Sequence, residues 1–422
     1  MLTNTYTPIV SGVARSVLAF TLEYRRRGHS VIVVAPDCEG TPETETDVIR
    51  VPAIQHFNGS DFSLRLPIPG FVASELKSFK PDIIHSHHPF LLGDTALLLS
   101  ATLNVPLVFT HHTMYEQYTH YVPGDSPAMQ RFVKELSTGY ANLCDQVFAP
   151  SESTAEIIKK RGVKTPIETI PTGVQTHSFE KGDGVRFRKS MDIPADAFVV
   201  GHLGRLAPEK NLHFLMHAVA NYLNKHEGAH FLVAGTGPSR IEIEEYFAQR
   251  GLSQQLHIAG VLEGNSRADA YHAMNVFAFT SKSETQGMVL TEAMASGVPV
   301  VAIDAPGARE VVRDGENGRL LTTENNEVFC EALEWIHSLP PDKVSSMQNS
   351  LRRTAEDFSM HRTCARALAC YEKLIQNTPE SKDPANSMWH TALRMIETEW
   401  EIWGNRAHAA GTALHEPSSN PD

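Results

Sequence analysis

Short apolar runs of strand length alternate with helical patterns along almost the whole chain, and that alternation leaves few folds open. In the first half, Val31–Ala35, Ile83–Ser86, Leu107–Thr110, Gln146–Ala149 and Glu168–Ile170 are expected as strands. Ala14–Arg27, Leu91–Leu103, Ala128–Asn142 and Thr154–Arg161 are expected as helices between them. In the second half the expected strands are Phe198–His202, Phe231–Ala234, Leu256–Ala259, Val276–Thr280 and Val298–Ile303, each leading into a loop and a helix. Strand–helix alternation builds parallel sheets covered by helices on both faces. A chain of 422 residues is too long for one hydrophobic core, so two such domains are expected. The break falls near Pro171-Thr172-Gly173-Val174 and the charged stretch Lys181–Lys189, which gives domains at 1–180 and 181–361. Only Met1-Leu2-Thr3 precedes the loop Asn4–Gly12. The first strand is therefore short, which bears on the edge of the first sheet, or the true start lies upstream.

Composition narrows the function. Hydrophobic content of 41% and charged content of 20% are those of a soluble globular protein. No apolar run approaches the ~18 residues of a spanning helix, and no signal peptide is visible. The five cysteines form no CxxC pair, so a reducing cytoplasm is the expected compartment. A net charge of −12 argues against nucleic acid as a partner. The basic clusters Arg25-Arg26-Arg27 and Lys159-Lys160-Arg161 end expected helices, where cations favour the dipole; a membrane-surface patch is the other reading.

Two segments carry chemistry. In residues 283–297, Ser-Glu-Thr-Gln-Gly-Met-Val-Leu-Thr-Glu-Ala-Met-Ala-Ser-Gly, seven residues separate Glu284 from Glu292. The apolar run Asn275–Thr280 before it reads as a strand. A helical pattern runs from Gly287 to Ser296, and Gly297 is placed to end it. A helix start there, at Gly287, Met288 and Val289, offers backbone N–H groups and a positive dipole end. That arrangement suits a nucleotide diphosphate, with one carboxylate for a sugar and one for a ribose. The second segment is Gly204-Arg205-Leu206-Ala207-Pro208-Glu209-Lys210-Asn211, between an expected strand and a helix starting near Leu212. A departing pyrophosphate needs cations, and Arg205 and Lys210 supply a planar fork and a point charge. Gly235-Thr236-Gly237 lacks the third glycine of a dinucleotide fingerprint. It is a tight strand-to-helix turn or a lining of the nucleotide site.

The 283–297 segment resembles the signature of the retaining GT-B glycosyltransferases (glycosyltransferase group 1, family four). The 204–211 segment resembles that family's Gly-Arg-x-x-x-x-Lys motif. The resemblance covers roughly residues 1–375. It implies two doubly wound Rossmann-like domains facing across a cleft, with a last helix, here 362–375, returning to the first domain. It implies a hexosyltransferase that uses a nucleotide-diphosphate sugar, with no cofactor and no metal, the cations replacing one. Arg205 and Lys210 would bind the donor diphosphate with Gly204 and the helix start at Gly287–Val289. Glu284 would contact the donor sugar and Glu292 the ribose. Gly12, in Ser11-Gly12-Val13, would let backbone approach the donor phosphate, and a plain helix start is its other reading.

The histidines His85, His87, His88, His111, His112 and His120 raise a metal site as a rival, but adjacent strand residues point to opposite faces. His112-Thr113 matches the family's His-Thr loop, whose histidine reaches the donor sugar. The segments 88–93 and 110–121 are similar to glycolipid synthases that glucosylate diacylglycerol. This implies UDP-hexose as donor, a lipid acceptor, and peripheral attachment to the inner face of the membrane, with Tyr115, Tyr118 and Tyr121 near the acceptor loop. GDP-mannose as donor, a soluble sugar or polyol acceptor, and a non-catalytic sugar-nucleotide scaffold remain open. The tail, 376–422, is expected to be helical to about 403 and disordered beyond. Trp389, Leu393, Ile396, Trp400 and Trp403 form one stripe on it, for the protein's own surface, a second copy or a membrane.

Overall fold

In the computed structural model, residues 1–54, 64–65, 76, 78–119, 125–378 and 384–415 are described. The chain divides into two compact units. Residues 1–172 form the first together with 363–422, and 173–362 form the second. The boundary, between Thr172 and Gly173, falls within the Pro171–Val174 break and ahead of the 180/181 division expected. Val174 is already tied into the second unit: its amide donates to Phe358 O at 2.8 Å and its carbonyl accepts from Met360 N at 2.8 Å. Gly182 and Gly184 likewise lie against Ala268 and His272, too close for any side chain.

The second unit holds a six-stranded parallel sheet. Its order is Leu256–Gly260, Ala229–Ala234, Phe198–Leu203, Val276–Phe279, Val300–Ile303, Gly318–Leu321. The first strand in sequence thus sits in the interior, and successive strands are added on one side and then on the other. The central strands are buried along their length, as expected where helices cover both faces. Such a sheet opens a crevice at the carboxyl ends of the two strands where the winding reverses, here Phe198–Leu203 and Val276–Phe279.

The first unit repeats the scheme. Its strands run Val48–Val51, Val33–Pro36, then Ile84–Ser86, Leu107–Thr110, Gln146–Ala149 and Ile167–Thr169. Leu2 joins the two groups by bridging in parallel to both Val34 and Ser86. The short first strand is therefore at the centre of the sheet and not at its edge. Leu2 N donates to His85 O at 2.8 Å, and Leu2 O accepts from His87 N at 3.0 Å. Flanking bonds join Thr3 N to Val34 O and Val34 N to Met1 O.

The helix Gly12–Arg26 starts on Ser11, whose hydroxyl accepts from Ala14 N at 3.1 Å. Its terminal arginines are not a bare patch, because Glu23 accepts from both Arg26 and Arg27 at 2.8 Å. Helix Met360–Asn377 carries the chain back, and its residues from Thr363 belong to the first unit.

The last helix, Pro384–His415, runs through Gly404 and does not end near 403. One internal glycine costs only about 1 kcal/mol. Packing offsets it: Ile402, Ala409 and Ala413 are buried, Asn405 donates to Leu136 O at 3.1 Å, and Arg406 donates to Asp94 at 2.6 Å. Gly139 lacks the Cβ that would strike Asn405. Of the uses expected for the stripe, packing on the protein's own surface does not hold at Ile396, Trp400 and Trp403, which are exposed. The side chains of Trp389 and Leu393 lie outside the described residues. No helix of the described residues is long and apolar enough to cross a membrane.

Candidate active site

In the second unit the expected donor residues gather on the two loops at the winding reversal. Gly204 and Arg205 follow Phe198–Leu203, and Ser281–Glu284 follow Val276–Phe279. Lys210 Nζ donates to Glu284 Oε1 at 2.5 Å. The loops are locked together beneath this pair. Asn211, in the left-handed region at φ 56°, donates from Nδ2 to Thr280 O at 3.3 Å. Thr280 Oγ1 lies within hydrogen-bond reach of the carbonyls of Lys210 and Asn211, and Ser283 Oγ donates to Glu209 O at 3.1 Å. Arg205 is half-exposed, 3.9 Å from Glu209.

Gly235 accounts for the close approach of the neighbouring turn. At φ 142° any Cβ would lie 1.8 Å from Gly204 O. Gly237, at φ 152°, meets Leu206 O in the same way. Backbone bonds Gly204 N→Ala234 O (3.0 Å) and Leu206 N→Thr236 O (2.9 Å) complete the seam. The glycines thus hold the Arg205 loop in place by backbone packing.

Glu292 lies inside helix Met288–Ala295 and is buried. Sequence reasoning missed its partners. Arg267 pairs with Oε2, and Tyr271 donates to the same oxygen at 2.9 Å. Burial lowers the Arg267 guanidinium, and the Glu292 carboxylate together with the Tyr271 hydroxyl more than offsets this, so its pKa is raised. The one available signal was that a buried carboxylate needs a cation, and Arg267 and Tyr271 sit at i, i+4 on helix Asn265–His272. At the helix start, Gly287 N donates to Gly307 O at 3.3 Å and Met288 N to Gln286 O at 3.0 Å. Val289 follows in the first turn, whose amides have no acceptor four residues back. His202, also unsought, is buried next to Gly204. Its Nδ1 contacts Ala278 O, its Nε2 has no partner among the described residues, and burial pushes its pKa down to about 4.

In the first unit the histidines converge at the equivalent reversal, beside Leu2 and Ile84–Ser86. Tyr24 donates to Tyr371 at 3.1 Å, and Tyr371 lies 2.6 Å from His85 Nδ1. His85 Nε2 lies 2.6 Å from Thr110 Oγ1. One consistent run of donors passes from Tyr24 to Thr110. His87 Nδ1 lies 2.9 Å from His112 Nε2, so one proton serves both rings. Asn4 N donates to His88 Nδ1 at 3.0 Å. As the alternation required, His87 and His112 meet while His88 and His111 turn elsewhere.

Burial drives all of these imidazoles toward neutrality: His88 and His112 to about 3, His111 to about 4, and His85 and His87 well below their usual value. Tyr115, expected at a membrane-facing edge, is packed instead on Phe90 and His111 with its hydroxyl buried. Tyr121 and His120 lie outside the described residues. Gly12 is the first helical residue, and a Cβ there would meet nothing within 4 Å.

Comparison with known proteins follows the same division. A family described as Glycosyltransferase Family 4 matches residues 10–178, and one described as Glycosyl transferases group 1 matches residues 185–357. An alpha-monoglucosyldiacylglycerol synthase of Streptococcus pneumoniae is 30% identical over 367 residues, covering 85% of this chain and 82% of that protein. A GDP-mannose-dependent alpha-mannosyltransferase of Corynebacterium glutamicum is 27% identical over 382 residues, 88% of each. Among solved structures, sucrose-phosphate synthase from Thermosynechococcus elongatus superposes with a TM-score of 0.70 at 19% identity, covering 89% of this chain and 98% of that one. Anabaena HepE in complex with UDP-glucose does so at 0.68 and 20%, covering 87% and 99%. The chain therefore belongs to the GT-B glycosyltransferases, two Rossmann-like domains in one polypeptide, and is a hexosyltransferase resembling the glycolipid synthases.

Proposed function

We propose that the enzyme transfers glucose from UDP-glucose to a lipid acceptor such as diacylglycerol, with retention at the anomeric carbon. The observation that carries the donor half is the Lys210–Glu284 pair at the winding reversal of the second unit. A lysine held by a carboxylate is kept at the site and exchanges that partner for a phosphate when a diphosphate arrives. Arg205, half-exposed beside it, takes the second phosphate charge. Glu284, released from Lys210, accepts from sugar hydroxyls. Both contacts of Glu292 fall on Oε2, so ribose hydroxyls are taken by Oε1. Gly204, Gly287 and Val289 bring backbone to the diphosphate. Gly235 acts through the Arg205 loop.

The bond from the anomeric carbon to the β-phosphate oxygen breaks as the acceptor oxygen bonds on the same face. The acceptor's proton passes to the departing phosphate. Charge builds on that phosphate, where Arg205 and Lys210 act. His112, kept neutral, donates or accepts a hydrogen bond at the sugar without adding charge.

The acceptor rests on the pneumococcal relative, named for the monoglucosyldiacylglycerol it makes. UDP-glucose carries its sugar α-linked, so an α-glucoside product means retention. The outward stripe Ile396, Trp400 and Trp403 supports peripheral attachment to a bilayer, apolar ring bodies suiting its interface. A second reading, mannosyl transfer from GDP-mannose, is favoured by the corynebacterial relative.

Thermal unfolding against UDP, GDP, ADP and their sugars separates the two, because the ligand that binds the folded state raises the midpoint. Stabilisation by UDP-glucose followed by glucosylation of diacylglycerol in vesicles is the expected result. A shift with GDP-mannose alone would replace the donor. Transfer only to soluble polyols would replace the acceptor.

A further inference from the structure

Helix Leu212–Leu223 begins at the Arg205–Asn211 loop and runs toward the opposite edge of the second sheet, where Phe198 opens its strand. There it packs against helix Asn326–His337, and three metal-ligating side chains converge. His226 Nε2 lies 2.8 Å from Glu334 Oε2, and ligand atoms of His226, Glu334 and His337 all lie within 4.8 Å of one another. Glu334 and His337 stand three residues apart on one helix, so they share a face. His226 comes from just beyond the end of the other helix.

The imidazoles are held. His337 stacks on Phe198 with centroids 4.1 Å apart, and its Nδ1 lies 2.7 Å from the Tyr222 hydroxyl. The His226 ring lies 4.5 Å from that of Tyr222. A ligating imidazole is ordinarily fixed by a hydrogen bond at one ring nitrogen while the other binds metal, and Tyr222 gives His337 such a bond.

We propose that His226, Glu334 and His337 bind a zinc-class divalent cation that clasps the ends of these two helices. Two imidazoles and one carboxylate suit zinc rather than magnesium or calcium, which prefer all-oxygen shells. Water completes the tetrahedron, since Glu334 is half-exposed. The site lies at the amino-terminal edge of the sheet, away from the carboxyl ends that carry the donor residues. Its effect is on the stability of the second unit and not on the chemistry.

The test uses the tag-free full-length chain, stripped with EDTA and titrated with zinc chloride by calorimetry and by thermal unfolding. One zinc per chain and a raised midpoint are expected, with no shift from magnesium. Glu334→Ala, which removes only a half-exposed carboxylate, and His226→Ala should each lower zinc affinity by more than about 10-fold, and Tyr222→Phe by about 10-fold. Comparison with each variant's own zinc-free midpoint separates lost binding from lost folding. His213 and His217, with rings 4.5 Å apart on the same helix, are the rival ligands. Binding that survives Glu334→Ala and His226→Ala but vanishes in His213→Ala/His217→Ala overturns the proposal, as does the absence of any zinc-dependent rise.

Discussion

Both units wind their strands outward from an interior first strand, and both carry paired polar side chains on the elements around the point where the winding reverses. In the second unit these are charged and paired, Lys210 with Glu284 and Arg267 with Glu292. In the first they are buried imidazoles that bond to one another, to Tyr371 and to Thr110. The same topology thus serves two purposes. Ion pairs with some solvent access can trade partners with an ionic ligand. Buried neutral imidazoles offer directional hydrogen bonds while keeping net charge out of the site.

Acid breaks this contrast most strongly. An unfolded histidine titrates near 6.5, whereas burial holds His88 near 3 and His111 near 4, and His85 and His87 are also lowered. Between those values the unfolded chain takes up protons that the folded unit refuses. Stability is therefore full above about pH 6.5 and falls below it, by about 1.4 kcal/mol per pH unit for each such histidine, until the folded values are reached. In the second unit burial takes His202 to about 4 and also lowers His217, His230 and His257, which are less deeply enclosed. Hydrogen exchange between pH 7.5 and 5 should show the first unit opening ahead of the second, and simultaneous opening would contradict the contrast.

The charged side is probed next. Arg267→Ala leaves Glu292 buried without its cation and should cost about 3–5 kcal/mol of stability in the second unit, measured by denaturant unfolding. Lys210→Ala acts differently. With its partner carboxylate partly exposed, folding should change little, while turnover falls about 10²–10³-fold. A Lys210→Ala enzyme at near-normal turnover would remove the proposed role. The smallest effect is expected from Tyr371→Phe, which withdraws a hydroxyl from His85 and from Tyr24. It should cost about 1–2 kcal/mol, read as a lowered unfolding midpoint with donor affinity unchanged.

Sequence reasoning reached the sheet cores because their strands are apolar throughout, and Leu107–Thr110 and Gln146–Ala149 fall where the pattern puts them. It missed Val48–Val51 and Gly318–Leu321. These are edge strands, with Arg50 paired to Glu45 and Arg319 to Asp314, and edges carry charge rather than an apolar run. Arg205, Lys210, Glu284 and Glu292 were legible because each sits in a contiguous motif beside a strand or helix. Arg267 and Tyr271 were not, because they reach Glu292 only through folding and no local spacing marks them. The last helix misled for a related reason. Its packed face carries Ile402, Ala409, Ala413 and Asn405, while Ile396, Trp400 and Trp403 point away.

The return of the chain at Thr363 has a consequence for synthesis. The second unit is one continuous stretch, whereas the first is interrupted and receives Tyr371 and Ile402 only from residues made after the second unit. Domains ordinarily complete in the order in which they leave the ribosome. Here that order is inverted, and the second unit can close while the first still waits for the helices Met360–Asn377 and Pro384–His415. A chain released after residue 362 would contain the whole second unit with its Lys210–Glu284 pair, yet its His85 would have no tyrosine from the returning helix to bond.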